Sequence, residues 1–234
     1  MRITPEFSGV TVVLLGSFNP PIFNPDWMVR KGVIGEEDAL NANIEVIHRE
    51  VAAFEIASFA LRVVPERFTA STTNPPFVAL RDLVVNIFNS LPETPISKMG
   101  INFNVHFPVA DFKKRDSVGM QLAPLEPWGD WGADIPGPAD VSDDDFAKKH
   151  GGMASLTLIQ NDIPDRPYGK VQAKVEPSKK MACGIFMEVN DHYEVGDGDS
   201  AKHGAELIGE LESGWDSSLE KSEFIIDQIM KISK

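Results

Sequence analysis

The side chains best suited to chemistry lie in two short polar stretches of the sequence. Asn102, Asn104 and His106 alternate with apolar residues in one stretch, and Asp191 and His192 are adjacent in the other. If the two stretches are neighbouring strands, these groups form one patch that could bind a small ligand or a protein partner. The simpler alternative is a solvated sheet face, because alternating polar residues require no function.

The histidines and acidic residues predict no metal site. None of the histidines forms HExxH, HxH or a Cys/His cluster, which zinc sites require. The acidic turn at 194–199 lacks the twelve-residue spacing and the terminal Glu of a calcium loop. The sequence also has no GxSxG, phosphate-binding or dinucleotide-binding motif, so we predict no cofactor. A Ser/His/Asp triad stays open because its members need not be close in the chain. The five histidines are His48, His106, His150, His192 and His203.

One segment is similar to a nucleotidyltransferase signature. Residues 15–21 read Leu-Gly-Ser-Phe-Asn-Pro-Pro, like the first-strand motif of that family. In the family a His-x-Gly-His pair follows and stabilises the charge that develops on the triphosphate. Here no histidine occurs before His48, so we predict a strand that ends in a proline-fixed turn.

The charge balance argues against nucleic-acid binding through a basic face. The 234 residues include 22 basic and 35 acidic side chains, for a formal charge of −13. The basic clusters at 113–115 and 179–180 are too short to form a footprint on a phosphate backbone.

Cysteine content and hydropathy indicate a cytoplasmic protein. The single Cys183 excludes an internal disulfide, and its apolar neighbours predict a buried, inert thiol. The chain begins without a charged leader followed by an apolar stretch. Its most apolar early window, residues 10–15, is far shorter than a membrane span, so we predict no membrane association.

Hydrophobic periodicity predicts alternating groups of strands and helices. Residues 10–15, 59–64, 67–72, 155–160, 171–175 and 185–189 have strand patterns, and residues 99–107 alternate most clearly. Residues 44–56 fit a helix or a strand. Asn74 and Pro75 predict a helix N-terminus, and Ser217 with Glu220 has the spacing of a capping box before a C-terminal helix.

These elements predict an α+β fold with an antiparallel sheet and helices packed on one face. We divide the chain into a first α+β half at 1–109, a connector at 110–150 and a second α+β half at 151–234, which could also form one domain. The order of elements allows two similar βββ(β)α halves.

The connector differs from both halves in composition. It contains four prolines, an acidic run at 140–145, and Trp128 and Trp131. The two indoles predict that part of the connector is held by packing, and they are further candidates for partner binding.

Four segments resemble an uncharacterised, sporadically distributed family of bacterial proteins. They are Arg-Phe-Thr at 67–69, Thr-Asn-Pro-Pro-Phe at 73–77, Leu-Arg-Asp-Leu-Val at 80–84 and Lys-Met-Gly-Ile-Asn-Phe-Asn-Val-His-Phe at 98–107. Members typically have a strand that starts with Arg, a helix, and a strand with Gly-[Ile/Leu]-[Asn/Arg]. The resemblance implies a cytosolic α+β protein of bacterial accessory genes, with defence systems as one setting, and it implies no catalytic residue.

Absent catalytic motifs, an acidic surface and the Trp/Pro-rich connector favour a non-enzymatic interaction or assembly protein. We expect it to bind a protein partner or to self-associate. The alternative is a small-molecule-binding protein or enzyme with a pocket over the polar sheet face near His106 and His192.

Overall fold

One antiparallel sheet organises the chain. The computed structural model describes residues 4–135, 151–163, 169–181, 183–195 and 200–232. Nine strands form the sheet in the order β2-β3-β4-β5-β1-β6-β9-β8-β7, and every neighbouring pair is antiparallel. The strands are β1 (Phe7–Gly16), β2 (Asn43–His48), β3 (Val51–Ile56), β4 (Phe59–Val64), β5 (Arg67–Thr72), β6 (Ile96–Pro108), β7 (Leu156–Gln160), β8 (Lys170–Pro177) and β9 (Gly184–Glu194).

Helices complete the α+β fold that the sequence predicted. They are α1 (Pro25–Arg30), α2 (Glu36–Leu40), α3 (Val78–Asn89), α4 (Phe112–Leu122), α5 (Gly129–Ala133) and α6 (Ser200–Met230), with short 3-10 helices at Pro20–Ile22 and Glu126–Trp128. Helix α3 contacts β1 and β5, α6 contacts β6 and β9, and the two helices contact each other. No helix in the described ranges has the length and apolar character needed to cross a membrane.

Residues 7–89 and 96–230 follow the same order of elements, and we call these two segments the structural halves. Strand β6 begins the second structural half, whereas the sequence-based boundary at 109 placed it in the first half. Each structural half begins with a long strand, β1 or β6, continues through a helical excursion and an antiparallel series of strands, and ends in a helix, α3 or α6. The last strand of each series returns to pair with the first strand of its own half. Strands β1 and β6 pair along most of their length, so both halves contribute to a single sheet.

The core lies between the sheet and the helices α3 and α6. β-Branched and other apolar side chains alternate along each central strand, and those on one face are almost fully buried. The long helix α6 is held by inward-facing residues spaced three or four apart, which is the spacing of one helix face. These residues are Leu207, Leu211, Trp215, Ser218, Ser222, Ile226 and Met230.

Four local predictions need correction or resolution. Helix α3 begins at Val78 rather than at Pro75. Pro75 is followed by Pro76, and a proline disfavours the helical conformation of the residue before it. Ser217 lies inside α6, since the apolar residues of the preceding turns pack on the sheet and extend the helix. Residues 44–56 form β2 and β3 rather than a helix. Cys183 is only half-buried.

Candidate functional sites

The polar stretch of β6 lies on the sheet face opposite α3 and α6, which we call the open face. Asn102 and Asn104 are half-buried there, and they are registered opposite Asn190 and Glu188 of β9. The Asn102 side-chain amide donates a hydrogen bond to the Thr11 carbonyl at 3.3 Å. The predicted adjacency of the two polar strands is therefore correct, and both asparagines share one surface with residues of β9.

Asp191 does not belong to this patch. It is 1% exposed and lies on the apolar face, because adjacent residues of a strand point to opposite faces. The Tyr193 hydroxyl donates a hydrogen bond to Asp191 Oδ2 at 3.2 Å. The sequence-based grouping of Asp191 with His192 on one surface was wrong for this reason.

His106 and His192 lie too far apart to share a small ligand. Gly100 is the residue registered opposite His192, and it precedes His106 by six residues on the same strand. That separation corresponds to about 20 Å along a strand. At this distance one pocket cannot contact both histidines. The small-molecule pocket near His106 and His192 that the sequence suggested is therefore not formed.

His106 is packed into the turn that joins β8 to β9. Its side chain is 5% exposed, and its ring centroid lies 4.8 Å from that of Phe186. The distance from His106 Nδ1 to Ser178 Oγ is 2.8 Å. The amides of Lys180 and Met181 donate to the same oxygen at 3.1 and 3.2 Å. Because both lone pairs of Ser178 Oγ are then occupied, the hydroxyl proton is donated to Nδ1 and the imidazole proton sits on Nε2.

The electrostatic environment of His106 agrees with this tautomer. Burial lowers the pKa of His106, and the positive charge of Lys180 lowers it further. A neutral ring can accept the Ser178 proton at Nδ1, whereas a protonated ring cannot. These contacts indicate that His106 fastens the β8–β9 turn to β6.

A cleft of about 820 Å³ lies at the other end of the open face. Its volume falls within the range of small-molecule sites in proteins, roughly 300 to 1,000 Å³. Four strands contribute to its walls: β1, β4, β5 and β6. The lining residues are Leu15, Gly16, Ser17, Arg62, Val64, Glu66, Arg67, Thr69, Pro95, Ser97 and Lys98.

Main-chain hydrogen bonds at the end of β1 build one side of the cleft. The Gly16 amide donates to the Glu66 carbonyl at 3.2 Å, and the Ser17 amide donates to the Pro95 carbonyl at 2.9 Å. A Cβ atom on Gly16 would overlap the Pro95 carbonyl oxygen. Glycine is therefore required where β1 passes between the β4–β5 turn and the start of β6.

An ion-pair cluster borders the cleft on the β6 side. Lys98 Nζ lies 2.6 Å from Glu194 Oε1, and His192 Nε2 lies 3.4 Å from Glu194 Oε2. The hydrogen bond from Lys98 lowers the pKa of Glu194. Burial lowers the pKa of His192, and its hydrogen bond with Glu194 opposes that shift. His192 thus contacts the carboxylate that pairs with Lys98 of the cleft wall, and it does not belong to the surroundings of His106.

Sequence reasoning missed Arg62 and Arg67, the two arginines of the cleft. Arg62 is registered opposite Thr69, and Arg67 is registered opposite Val64. The two arginines are therefore diagonal neighbours on one face. The turn signal at residues 65–66 could have placed them on adjacent strands, but their relation to β1 and β6 depends on the sheet order.

The outer edge strand β7 is a second candidate site. Leu158 is 65% exposed and Ile159 is 55% exposed, and they point to opposite faces of the sheet. Its five residues, Leu-Thr-Leu-Ile-Gln, carry no charge. Among the described residues, no segment pairs with the outer edge of β7, and an edge strand of this kind is a template for pairing with another strand.

The edge strand β2 is better protected than β7. Its register with β3 shifts between Ile44 and Val46, and it carries Glu45. Irregularities and charges of this kind are devices by which proteins prevent pairing of sheet edges. The two edges of the sheet therefore differ in their capacity to accept a strand.

Trp128 and Trp131 form an exposed aromatic pair. Their ring centroids lie 5.4 Å apart with an interplanar angle of 62°, and both side chains are mostly exposed. The prediction that part of the connector is held by packing is correct for α4, where Val118 is buried in the core, but the two indoles are not the residues that provide this packing. The two indoles pack against each other, with Trp128 at the end of the 3-10 helix and Trp131 within α5.

The described residues contain no group of three or more His, Cys, Asp or Glu side chains placed to hold a metal ion. His150, Asp197 and Asp199, with residues 136–150 of the connector, lie outside the described residues. No protein-family model matches the chain, and no curated protein matches its sequence. The resemblance to a bacterial family stays a prediction, and function has to be inferred from the sites themselves.

Proposed function

We propose that this protein is an interaction subunit that assembles with a second copy of itself through β7. The observation that supports this most is the open edge of β7, which is uncharged and exposes Leu158 and Ile159. The chain carries a formal charge of −13, so two copies repel each other over most of their surfaces. An uncharged strand is the surface where a second copy approaches at the lowest electrostatic cost.

The sequence of β7 is suited to pairing with itself. An antiparallel pair centred on Leu158 would match all five residues of each copy. Leu158 would then face the same residue of the second copy, and Thr157 would face Ile159. No like charges would be opposed, and each apolar cross-strand pair contributes roughly 0.2 to 1 kcal/mol. Because the shared edge is short, we expect a dissociation constant on the order of micromolar.

A two-fold arrangement follows from the difference between the two edges. Pairing β7 of one copy with β2 of another would continue into a ring or an open chain. The register shift and Glu45 in β2 oppose that arrangement. Pairing of β7 with β7 instead closes after two copies, and leaves β2 at both ends of the combined sheet.

Light scattering coupled to size-exclusion chromatography tests this proposal on the full chain. The protein should change from monomer to dimer over roughly 1 to 100 µM, the range that spans a micromolar dissociation constant. Leu158→Lys should weaken association at least about tenfold, because like charges directly opposite each other destabilise a strand pair. The side chain of Leu158 is largely exposed, so the fold should be unaffected.

Two matched variants make the outcome specific. Leu40→Lys adds the same charge at an exposed leucine at the end of α2 and should associate like the parent protein. Ile44→Lys changes the exposed face of β2 and should also associate normally. A parent protein that is monomeric throughout, or a Leu158→Lys variant that still dimerises, would refute the proposal. Loss of association in Ile44→Lys would replace the two-fold pair with a β7-to-β2 arrangement.

We also place this assembly in the cytoplasm of a bacterium, as part of an accessory system. The single Cys183 supports a reducing compartment, and the resemblance of residues 67–107 supports the bacterial accessory setting. Recovery of the native protein in the membrane or secreted fraction of its host would contradict this location.

A further inference from the structure

Within the part of the chain that the structure describes, Arg62 and Arg67 in the open-face cleft have no partner of opposite charge. Neither guanidinium forms an ion pair or a side-chain hydrogen bond with any of the described residues. Glu66 also lines the cleft, but it pairs with neither arginine. Both arginines are exposed, so a ligand that enters the cleft can reach their guanidinium groups.

Strand pairing keeps these two positive charges close together. Arg62 and Arg67 are diagonal neighbours across β4 and β5, and residues in this relation are about 7 to 8 Å apart. On the other side of Arg67, Leu15 separates it from Lys98 across β1. Lys98 is already paired with Glu194, so Arg62 and Arg67 are the basic side chains of the cleft that form no ion pair among the described residues.

We propose that this cleft binds a small organic phosphate, with Arg62 and Arg67 holding the phosphate group. Guanidinium groups donate paired hydrogen bonds that match phosphate oxygens. The hydroxyls of Ser17 and Thr69 line the same cleft and add further donors. A phosphate carries close to two negative charges and more acceptor oxygens than a single carboxylate, so it can bridge both arginines.

The remaining walls suit the organic part of such a ligand. Leu15 and Val64 supply apolar surface beside the arginines, and Pro95 also lines the cleft. The cleft volume of about 820 Å³ leaves room for a group attached to the phosphate. The cleft is built by β4, β5, β1 and β6, so this site goes beyond the proposed self-association at β7 and does not depend on it.

Isothermal titration calorimetry with phenyl phosphate tests the site on the full chain. Phenyl phosphate combines the dianion with an apolar ring, whereas inorganic phosphate and phenol each retain only one of these parts. We expect phenyl phosphate to bind more tightly than either. Arg62→Gln/Arg67→Gln should weaken this binding at least about tenfold. Arg62→Lys/Arg67→Lys should give an intermediate affinity, because lysine retains charge without the paired donors.

A charge-matched control separates a specific site from general electrostatics. Arg49→Gln/Lys31→Gln removes the same charge at two exposed positions outside the cleft and should bind phenyl phosphate like the parent protein. The unfolding temperature of Arg62→Gln/Arg67→Gln should equal or exceed that of the parent, since the change relieves repulsion between like charges. Equal weakening in both double variants, unchanged binding in Arg62→Gln/Arg67→Gln, or no binding by the parent up to about 10 mM would each overturn the proposal.

Discussion

Replacing Gly16 by alanine should destabilise the protein by several kcal/mol. A Cβ atom at this position would overlap the Pro95 carbonyl oxygen and lie 3.0 Å from Ile96 Cα, whereas ordinary contact begins at 3.4 Å. The start of β6 would have to move by on the order of 1 Å, and such overpacking costs about 1 to 3 kcal/mol. The shift would also break the hydrogen bonds of Gly16 with Glu66 and of Ser17 with Pro95, at about 1 kcal/mol each. The expected total is about 3 to 5 kcal/mol, a large part of a typical stability of about 5 to 15 kcal/mol.

Urea unfolding followed by circular dichroism measures this loss. All variants should be compared at one low protein concentration, because self-association makes apparent stability depend on concentration. Gly209→Ala is the matched control, since a Cβ there has no atom within 4 Å and the residue lies within α6. The free energy of unfolding of Gly209→Ala should rise by up to about 1 kcal/mol, because alanine has a higher helix propensity than glycine. A loss of less than about 1 kcal/mol in Gly16→Ala would refute the reasoning that the backbone approach at Pro95 is tight.

Two further predictions concern the histidines. His106→Ala should lower the free energy of unfolding by about 1 to 3 kcal/mol, because it leaves Ser178 without its 2.8 Å partner; a change within about 0.5 kcal/mol would contradict the packed role of His106. Stability should also fall between about pH 7 and pH 5.5. The pKa values of His106 and His192 are lowered from 6.5 in the folded state, so the unfolded chain takes up protons that the folded chain does not. A denaturation midpoint that is constant or rises over this range would contradict that assignment.

The alternation of polar and apolar residues along a strand was the main signal in the sequence for the open face. It placed Asn102, Asn104 and His106 on one side of β6, and the same rule would have placed Asp191 opposite His192. The error in grouping these two residues came from treating sequence neighbours as neighbours on one surface. The fold class was predictable because strand and helix periods are local properties.

The cleft and the open edge depended on pairings between distant parts of the chain. Arg67 lies near Lys98 only because β1 pairs with both β5 and β6, and no local pattern specifies that order. Residues 155–160 were predicted as a strand, but whether a strand lies at the edge is decided by the order of the whole sheet. The exposure of Trp128 and Trp131 was missed because two indoles in a proline-rich segment can pack on each other instead of on a core.

The oligomeric state of the parent protein and of Leu158→Lys tests the central proposal most directly. Light scattering should give the parent a mass approaching twice the 25.7 kDa of the chain as concentration rises. Leu158→Lys should keep the mass of a single chain at concentrations where Leu40→Lys dimerises. A parent mass of 25.7 kDa at every concentration, or equal dimerisation of the two lysine variants, would contradict assembly through β7.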